Sequence, residues 1–219
     1  MVCADIPEPT THEFAALCGV LCKLWNNPIA MKKGPSAHFV KGIRGTDEIL
    51  QDGTPQVAFI GRSNVGKSSV INALTGVKSL AKVGKKPGKT TEINLFLFRK
   101  KFYIVDLPGY GYAQATPKER EKLKNLIVWY FSASEAKPHK VVLVLDAVAG
   151  LTPFDEDMIG ILRNEEHPFV IVVNKIDKLK QDELLKAVTS IKERAGDVEI
   201  LQCSVKTGKG VETVSARLF

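Results

Sequence analysis

No apolar run in this chain approaches the ~18 residues that a bilayer span needs. Cysteine is scarce: there are four, and Cys18-x-x-x-Cys22 has no second Cys or His pair to complete a tetrahedral metal site, while Cys3 and Cys203 stand alone. A zinc-binding module is therefore a poor reading, and the cysteines read as free thiols in a reducing cytosol. No internal repeat is present, so a solenoid is not expected. Acidic residues are outnumbered, 24 Asp and Glu against 31 Lys and Arg, for a formal charge of +7. That excess leans toward a polyanionic partner. The hydrophobic fraction of 44% and charged fraction of 25% are ordinary for a globular protein. A chain of 219 residues suits one domain with a sizeable core, or one domain plus an extension.

The two ends of the chain read differently. Residues 1–37 show no regular succession of strand and helix patterns and are expected to be an N-terminal extension. Within it, Phe14, Leu17, Cys18, Leu21 and Trp25 recur at helical spacing. Asp5, Glu8 and Glu13, with no basic flank, argue against a secretory or transit peptide. Met31-Lys-Lys is a second candidate translation start. Residues 38–219 alternate strand with helix. Strands are expected at Phe39–Ile43 (an edge strand), Gln56–Ile60, Glu92–Phe98, Phe102–Asp106, Val141–Asp146, Phe169–Asn174 and Val198–Cys203. The third and fourth of these should form an antiparallel hairpin across a basic turn. Helices are expected at Ser69–Leu74, Pro117 to about Phe131, Pro153–Arg163, Asp182–Arg194 and Val211–Leu218. Continuous apolar strands alternating with helices predict an α/β fold with a mostly parallel sheet covered on both faces. Ligands in such sheets bind at the carboxyl ends of the strands.

The chemistry-bearing motifs fall at those ends. Gly61-Arg-Ser-Asn-Val-Gly-Lys-Ser68 fits G-x-x-x-x-G-K-[ST] between a buried strand and a helix. In that setting successive backbone N–H groups and the helix N-terminus cradle phosphates. Lys67 supplies a cation for the β- and γ-phosphates, and Ser68 a hydroxyl for Mg²⁺. Asp106-Leu-Pro-Gly109 ends an apolar strand; its carboxylate suits a magnesium shell through water, and the Gly109 N–H can reach a γ-phosphate. Asn174-Lys-Ile-Asp177 ends another. An Asp carboxylate can accept from both N1–H and N2–H₂ of guanine, donors that adenine lacks, and so separates GTP from ATP. Cys203-Ser-Val-Lys206 ends the last strand, where backbone N–H groups can meet the guanine oxygen. In Gly88-Lys-Thr-Thr91 either Thr90 or Thr91 can complete magnesium coordination. The stretch from Val77 to Gly88 reads as mobile. Its lysines, Lys78, Lys82, Lys85 and Lys86, with Lys89, have no acidic residue among them, and Arg99-Lys100-Lys101 forms a second cluster. Both clusters read either as solvated loops or as contacts to nucleic-acid phosphate.

Taken in order, GRSNVGKS, PGKT, DLPGYG and NKID resemble a translation-factor-class GTPase, and within that class the EngB (YihA/YsxC) family of bacterial ribosome-biogenesis GTPases. The resemblance covers roughly Ala37 to the end, with GRSNVGKSS at 61–69 and DLPGYGYA at 106–113 its most specific parts. It implies a single Ras-like P-loop GTPase domain whose central sheet is mostly parallel with one antiparallel hairpin strand. It further implies GTP and GDP binding with Mg²⁺, slow hydrolysis, a role in large ribosomal subunit assembly, and a link to normal cell division and septation in the cytoplasm. A monomer is expected. By the family pattern the nucleotide contacts would be Gly61, Arg62, Ser63, Asn64, Val65, Gly66, Lys67 and Ser68; then Gly88, Lys89, Thr90, Thr91 and Glu92. Asp106, Leu107, Pro108 and Gly109 would follow, then Asn174, Lys175, Ile176 and Asp177, and last Cys203, Ser204 and Val205. Ser68 and Thr90 would be the magnesium ligands, with Lys67, Thr90, Gly109 and Asn64 acting in hydrolysis. Asn174 stands where the family often has Thr, a change toward the commoner GTPase form.

Many GTPases place a Gln after Asp-x-x-Gly to orient the attacking water. Tyr110 stands there in this chain, and a phenol cannot replace an amide that donates and accepts. Slow intrinsic turnover is the expectation. Asn64 is either a ligand for a K⁺ ion, as in K⁺-activated relatives, or a stabiliser of the loop. A P-loop kinase or ATPase, and a non-catalytic GDP/GTP-binding scaffold for division proteins, are the competing readings.

Overall fold

The computed structural model describes residues 37–81, 92–111 and 116–219. The expected helix at Phe14–Trp25, Cys3, Cys18 and Cys22 lie outside the described residues. All described residues belong to one compact unit, Pro35–Phe219.

Val57, Ala58, Phe59 and Ile60 have no exposed surface at all. They form the middle of β2 (Gln56–Gly61), which lies at the centre of a seven-stranded sheet. The other strands are β1 (Ala37–Ile43), β3 (Ile93–Phe98), β4 (Phe102–Asp106), β5 (Lys140–Asp146), β6 (Phe169–Asn174) and β7 (Ile200–Gln202), in the order β1-β3-β4-β2-β5-β6-β7. β3 runs antiparallel to both β1 and β4, and every other neighbouring pair is parallel. The expected hairpin strand is therefore β3.

Among the described residues five α-helices cover the sheet: α1 (Lys67–Thr75), α2 (Pro117–Val128), α3 (Pro153–Asn164), α4 (Gln181–Ala195) and α5 (Val211–Leu218). The pleat sends Val57 and Phe59 to one face, where they meet Val70, Ile71 and Leu74 of α1 and Val214 and Leu218 of α5. Ala58 and Ile60 face the opposite core with Ile127 of α2, Met158 and Leu162 of α3 and Ile191 of α4. Burial on both faces is why β2, β5 and β6 read as unbroken apolar runs. Each filled Val, Ile, Leu or Phe position contributes about 1.5–3 kcal/mol.

Local chemistry sets the helix starts. Thr116 Oγ1 accepts from Glu119 N (3.3 Å) while Glu119 Oε2 accepts from Thr116 N (2.8 Å), and Pro117 follows in the first turn. Asp155 likewise accepts from Thr152 N (2.8 Å) and Thr152 Oγ1 (2.5 Å) to open α3. Past α2 the chain continues through one π-helical turn, Trp129–Ala133. α1 starts two residues earlier than its apolar pattern indicates, because the phosphate-loop motif itself turns into the helix. β7 is shorter than expected: as an edge strand it pairs only through Ile200, Leu201 and Gln202.

The front of the stretch read as mobile is fixed. Asn72 on α1 accepts from Ala81 N (2.8 Å) and donates to Ala81 O (2.9 Å) and Lys78 O (3.3 Å). Ala81 is buried as a result.

Candidate functional site

β2, β4 and β6 all end at the same edge, and the motifs meet there. Gly61 closes β2 and Lys67 opens α1, so Arg62–Gly66 arch between strand and helix. Gly66 has φ of 96°, and a Cβ there would sit inside van der Waals contact with Asn174 Nδ2. Only glycine fits both demands. Asn64 sits exposed at the crest with φ of 70°, a conformation that Asn tolerates. The arch is laced to the segment after β4: Ser63 N donates to Tyr110 O (2.8 Å), Ser63 Oγ to Gly109 O (3.3 Å), and Tyr110 N to Gly61 O (3.4 Å). Inside this frame Lys67 Nζ donates to Asp106 Oδ1, both side chains being nearly buried. Ser68 follows on the first turn of α1, half-buried.

The second half of the site is tied together by side chains. Asn174 Nδ2 donates to Val65 O (3.0 Å), and Asn174 Oδ1 accepts from Val205 N (3.4 Å) and faces Cys203 Sγ (3.8 Å). One buried amide thus joins the phosphate arch to the loop after β7. Lys175 has φ of 65° and spans a similar gap, its Nζ reaching Asn64 O (2.5 Å) and Asp146 Oδ2 (2.7 Å). Burial works against the charged form of Asp146, but the bonds from Lys175 and from Val148 N outweigh it and hold the carboxyl below its usual range. Asp177 is held low chiefly by Ser204 Oγ, which donates to its Oδ1 (2.6 Å), with Lys206 adding attraction at 3.9 Å. An ionised Asp177 keeps the acceptor pair that a guanine edge needs. Burial pushes the Cys203 thiol up to about 11, so it stays protonated and inert at neutral pH.

Tyr110 turns away from the phosphate arch. Its ring is buried and stacks on Phe154 at 5.0 Å, and its hydroxyl donates to Asp155 Oδ1 (2.7 Å). Burial, with the neighbouring Asp155 charge, raises the phenol well above its ordinary value. Two residues in these networks escaped the reading of the sequence. Asp146 ends β5 directly beside Asn174 at the carboxyl edge of the sheet, and that position was the available signal. Asp155 was legible as the fourth residue of a Thr-Pro-x-Asp helix start.

The profile of the family described as "50S ribosome-binding GTPase" matches residues 56–175. A curated relative from Aquifex aeolicus, "Probable GTP-binding protein EngB", is 44% identical over 75% of this chain and 90% of its own length. One of the same name from Solibacter usitatus is 40% identical over 81% and 92%. The chain belongs to the EngB family. A solved structure titled "Crystal structure of a probable GTP-binding protein engB" superposes with a TM-score of 0.64, at 31% identity, covering 75% of this chain and 96% of that one. Its fold is the Ras-like GTPase fold expected from the sequence.

As an EngB-family GTPase the protein binds GTP and GDP and hydrolyses GTP to GDP and phosphate. GTPases of this kind typically use Mg²⁺. The Ser68 hydroxyl and the Asp106 carboxylate are hard oxygen donors, and Mg²⁺ asks for few protein ligands, so the residues present fit that ion. Gly88, Lys89, Thr90 and Thr91, with Lys82, Lys85 and Lys86, lie outside the described residues. Among the described residues no cluster of three or more His, Cys, Asp or Glu forms a separate metal site, and no helix is long and apolar enough to cross a membrane.

Proposed function

We propose that residues 38–219 of this EngB chain form a GTP-driven assembly factor for the large ribosomal subunit, needed for normal division and septation and working in the cytoplasm as a monomer, with residues 1–37 as an extension. The carrying observation is the Asn174 amide, which ties the guanine-reading loop to the arch that grips phosphate. A site built this way couples base identity to phosphate grip in one rigid unit.

In this reading the backbone of Gly61–Ser68 cradles the phosphates, and Lys67 exchanges Asp106 for the β- and γ-phosphates. Ser68 and Thr90 would hold Mg²⁺, and Asp106 would act on it through water. The ion neutralises phosphate charge when bound. Gly109 offers its N–H to the γ-phosphate, Asp177 reads the guanine edge, and Cys203–Val205 close over the base. Leu107 and Pro108 shape the turn that presents Gly109, and Gly88, Lys89, Thr91 and Glu92 complete the switch.

Slow intrinsic turnover follows from Tyr110, whose hydroxyl is committed to Asp155 and is not free to orient water. In this reading the exposed Asn64 side chain would take a K⁺ ion, adding positive charge beside the phosphates, where it does not simply stabilise the loop. Equal turnover in K⁺ and Na⁺ would remove that assignment.

With GTP bound, Lys82, Lys85, Lys86 and Lys89 join Lys78 in meeting ribosomal RNA; hydrolysis withdraws those four, while Asn72 keeps the Lys78 backbone in place. Sedimentation with purified large subunits tests the reading. Co-sedimentation with a GTP analogue that weakens with GDP and with added salt is expected. Binding indifferent to both would overturn it.

A further inference from the structure

The β3–β4 turn carries cations where turn geometry least favours them. Arg99 and Lys100 have φ of 52° and 56°. Tight hairpins that need two successive left-handed residues select Asn-Gly, because a long L side chain meets its own carbonyl there. Lys101 follows at once, its N–H closing the turn on Phe98 O (3.0 Å). All three side chains are exposed, and none forms an ion pair among the described residues. The Arg99 guanidinium lies over the Phe98 ring, 4.8 Å from its centre, which orders the cation without neutralising it.

The turn sits at the amino end of β4, one strand length from Asp106, roughly 15 Å at ~3.3 Å per residue. Lys140 opens β5 at the same end and donates to Arg217 O (3.4 Å). Two acidic groups on this side are engaged: Asp52 accepts from the Tyr103 hydroxyl (2.8 Å), and Glu199 pairs with Arg217 (2.5 Å). Strain kept at a surface tip calls for a use.

We propose that Arg99, Lys100 and Lys101 form a second docking face, fitted to the phosphate backbone of RNA and indifferent to the bound nucleotide. The inference rests on the reading that the partner is a ribosomal particle. A tip bearing three exposed cations outside any ion pair suits a phosphate backbone; the exposed Phe39 and Val40 lie on β1 and not on the tip itself, where a protein partner would need a packed hot spot. The hairpin is fixed by its Phe98↔Phe102 register and lies away from the nucleotide loops, so it keeps its grip in both states. It would hold the protein on the particle while the lysine-rich switch engages and lets go.

The test variant is Arg99→Asn with Lys100→Gly, which retains the turn and removes two charges. Its thermal midpoint should equal or exceed the wild-type value, and its basal GTPase rate should be unchanged. Affinity for large subunits, and for RNA extracted from them, should fall roughly ten- to a hundredfold at about 0.1 M salt, with the salt slope shallower by about two. The same factor is expected with the GTP analogue and with GDP. Unchanged affinity and slope would overturn the inference while leaving the proposed function standing. A loss on subunits with none on naked RNA would overturn it in favour of a ribosomal protein. Wild-type protein that binds no subunits at all would sink both.

Discussion

The two ends of the site, proposed above to hold phosphate and base, are built on different principles. The phosphate end is local: strand, arch and helix follow one another within Gln56–Thr75, and its geometry comes mainly from backbone and glycine. The base end is assembled from distant pieces, with Asn174, Lys175 and Asp177 reaching Val65, Asn64, Asp146 and Ser204 through side chains. The difference teaches where each end is fragile. Local geometry survives the loss of most side chains, whereas a side-chain bridge fails with one substitution and takes its far partner with it.

The exception at the phosphate end gives the largest expected effect. Lys67→Met would leave the Asp106 carboxylate, 3% exposed, without its partner. Stability should fall by about 3–5 kcal/mol, read from the urea midpoint, and GDP binding should vanish in titration calorimetry. A loss well under 1 kcal/mol would show that the pair does not hold this end. Next, Asp177→Asn should lower GTP affinity roughly ten- to a hundredfold, the loss of a hydrogen bond to a charged group, with a gain for xanthosine triphosphate, whose C2 carbonyl can accept from an amide. Undiminished GTP binding would remove Asp177 from the base end.

Asn174→Ala separates the two ends directly. It should cost about 1–3 kcal/mol and raise hydrogen exchange at Val205 N–H, while the arch loses its tie at Val65 O. Change confined to the base loop, with phosphate affinity intact, would break the idea that the ends are coupled. The smallest effect belongs to Asp146→Asn, about 1 kcal/mol at neutral pH. Because the folded protein holds this carboxyl below its ordinary value near 3.8, its stabilisation is present above that value and is lost as pH falls below it. The Asn variant should lack that part of the acid limb; an identical acid profile would show that Lys175 does not depend on Asp146.

The same division explains what the sequence made legible. β2, β5 and β6 announced themselves because burial on both faces leaves no polar interruption. The Gly61–Ser68 arch and the Asp106–Gly109 turn were readable because each is one continuous segment with fixed spacing. The partners of Lys175 and Tyr110 were not, since pairing Asp146 or Asp155 with them requires knowing that β5 lies beside β6 and that α3 lies over the Tyr110 ring. β7 was overdrawn for a related reason: an apolar stretch shows what can be buried, and only a neighbour decides how much of it pairs.

Asp155 accepts at one oxygen from Thr152 at the start of α3 and at the other from the Tyr110 hydroxyl. Displacement of the chain beyond Gly109 must therefore either drag that helix along or snap the phenol free. One carboxylate thus makes the twelve-residue helix and the turn after β4 mechanically one piece.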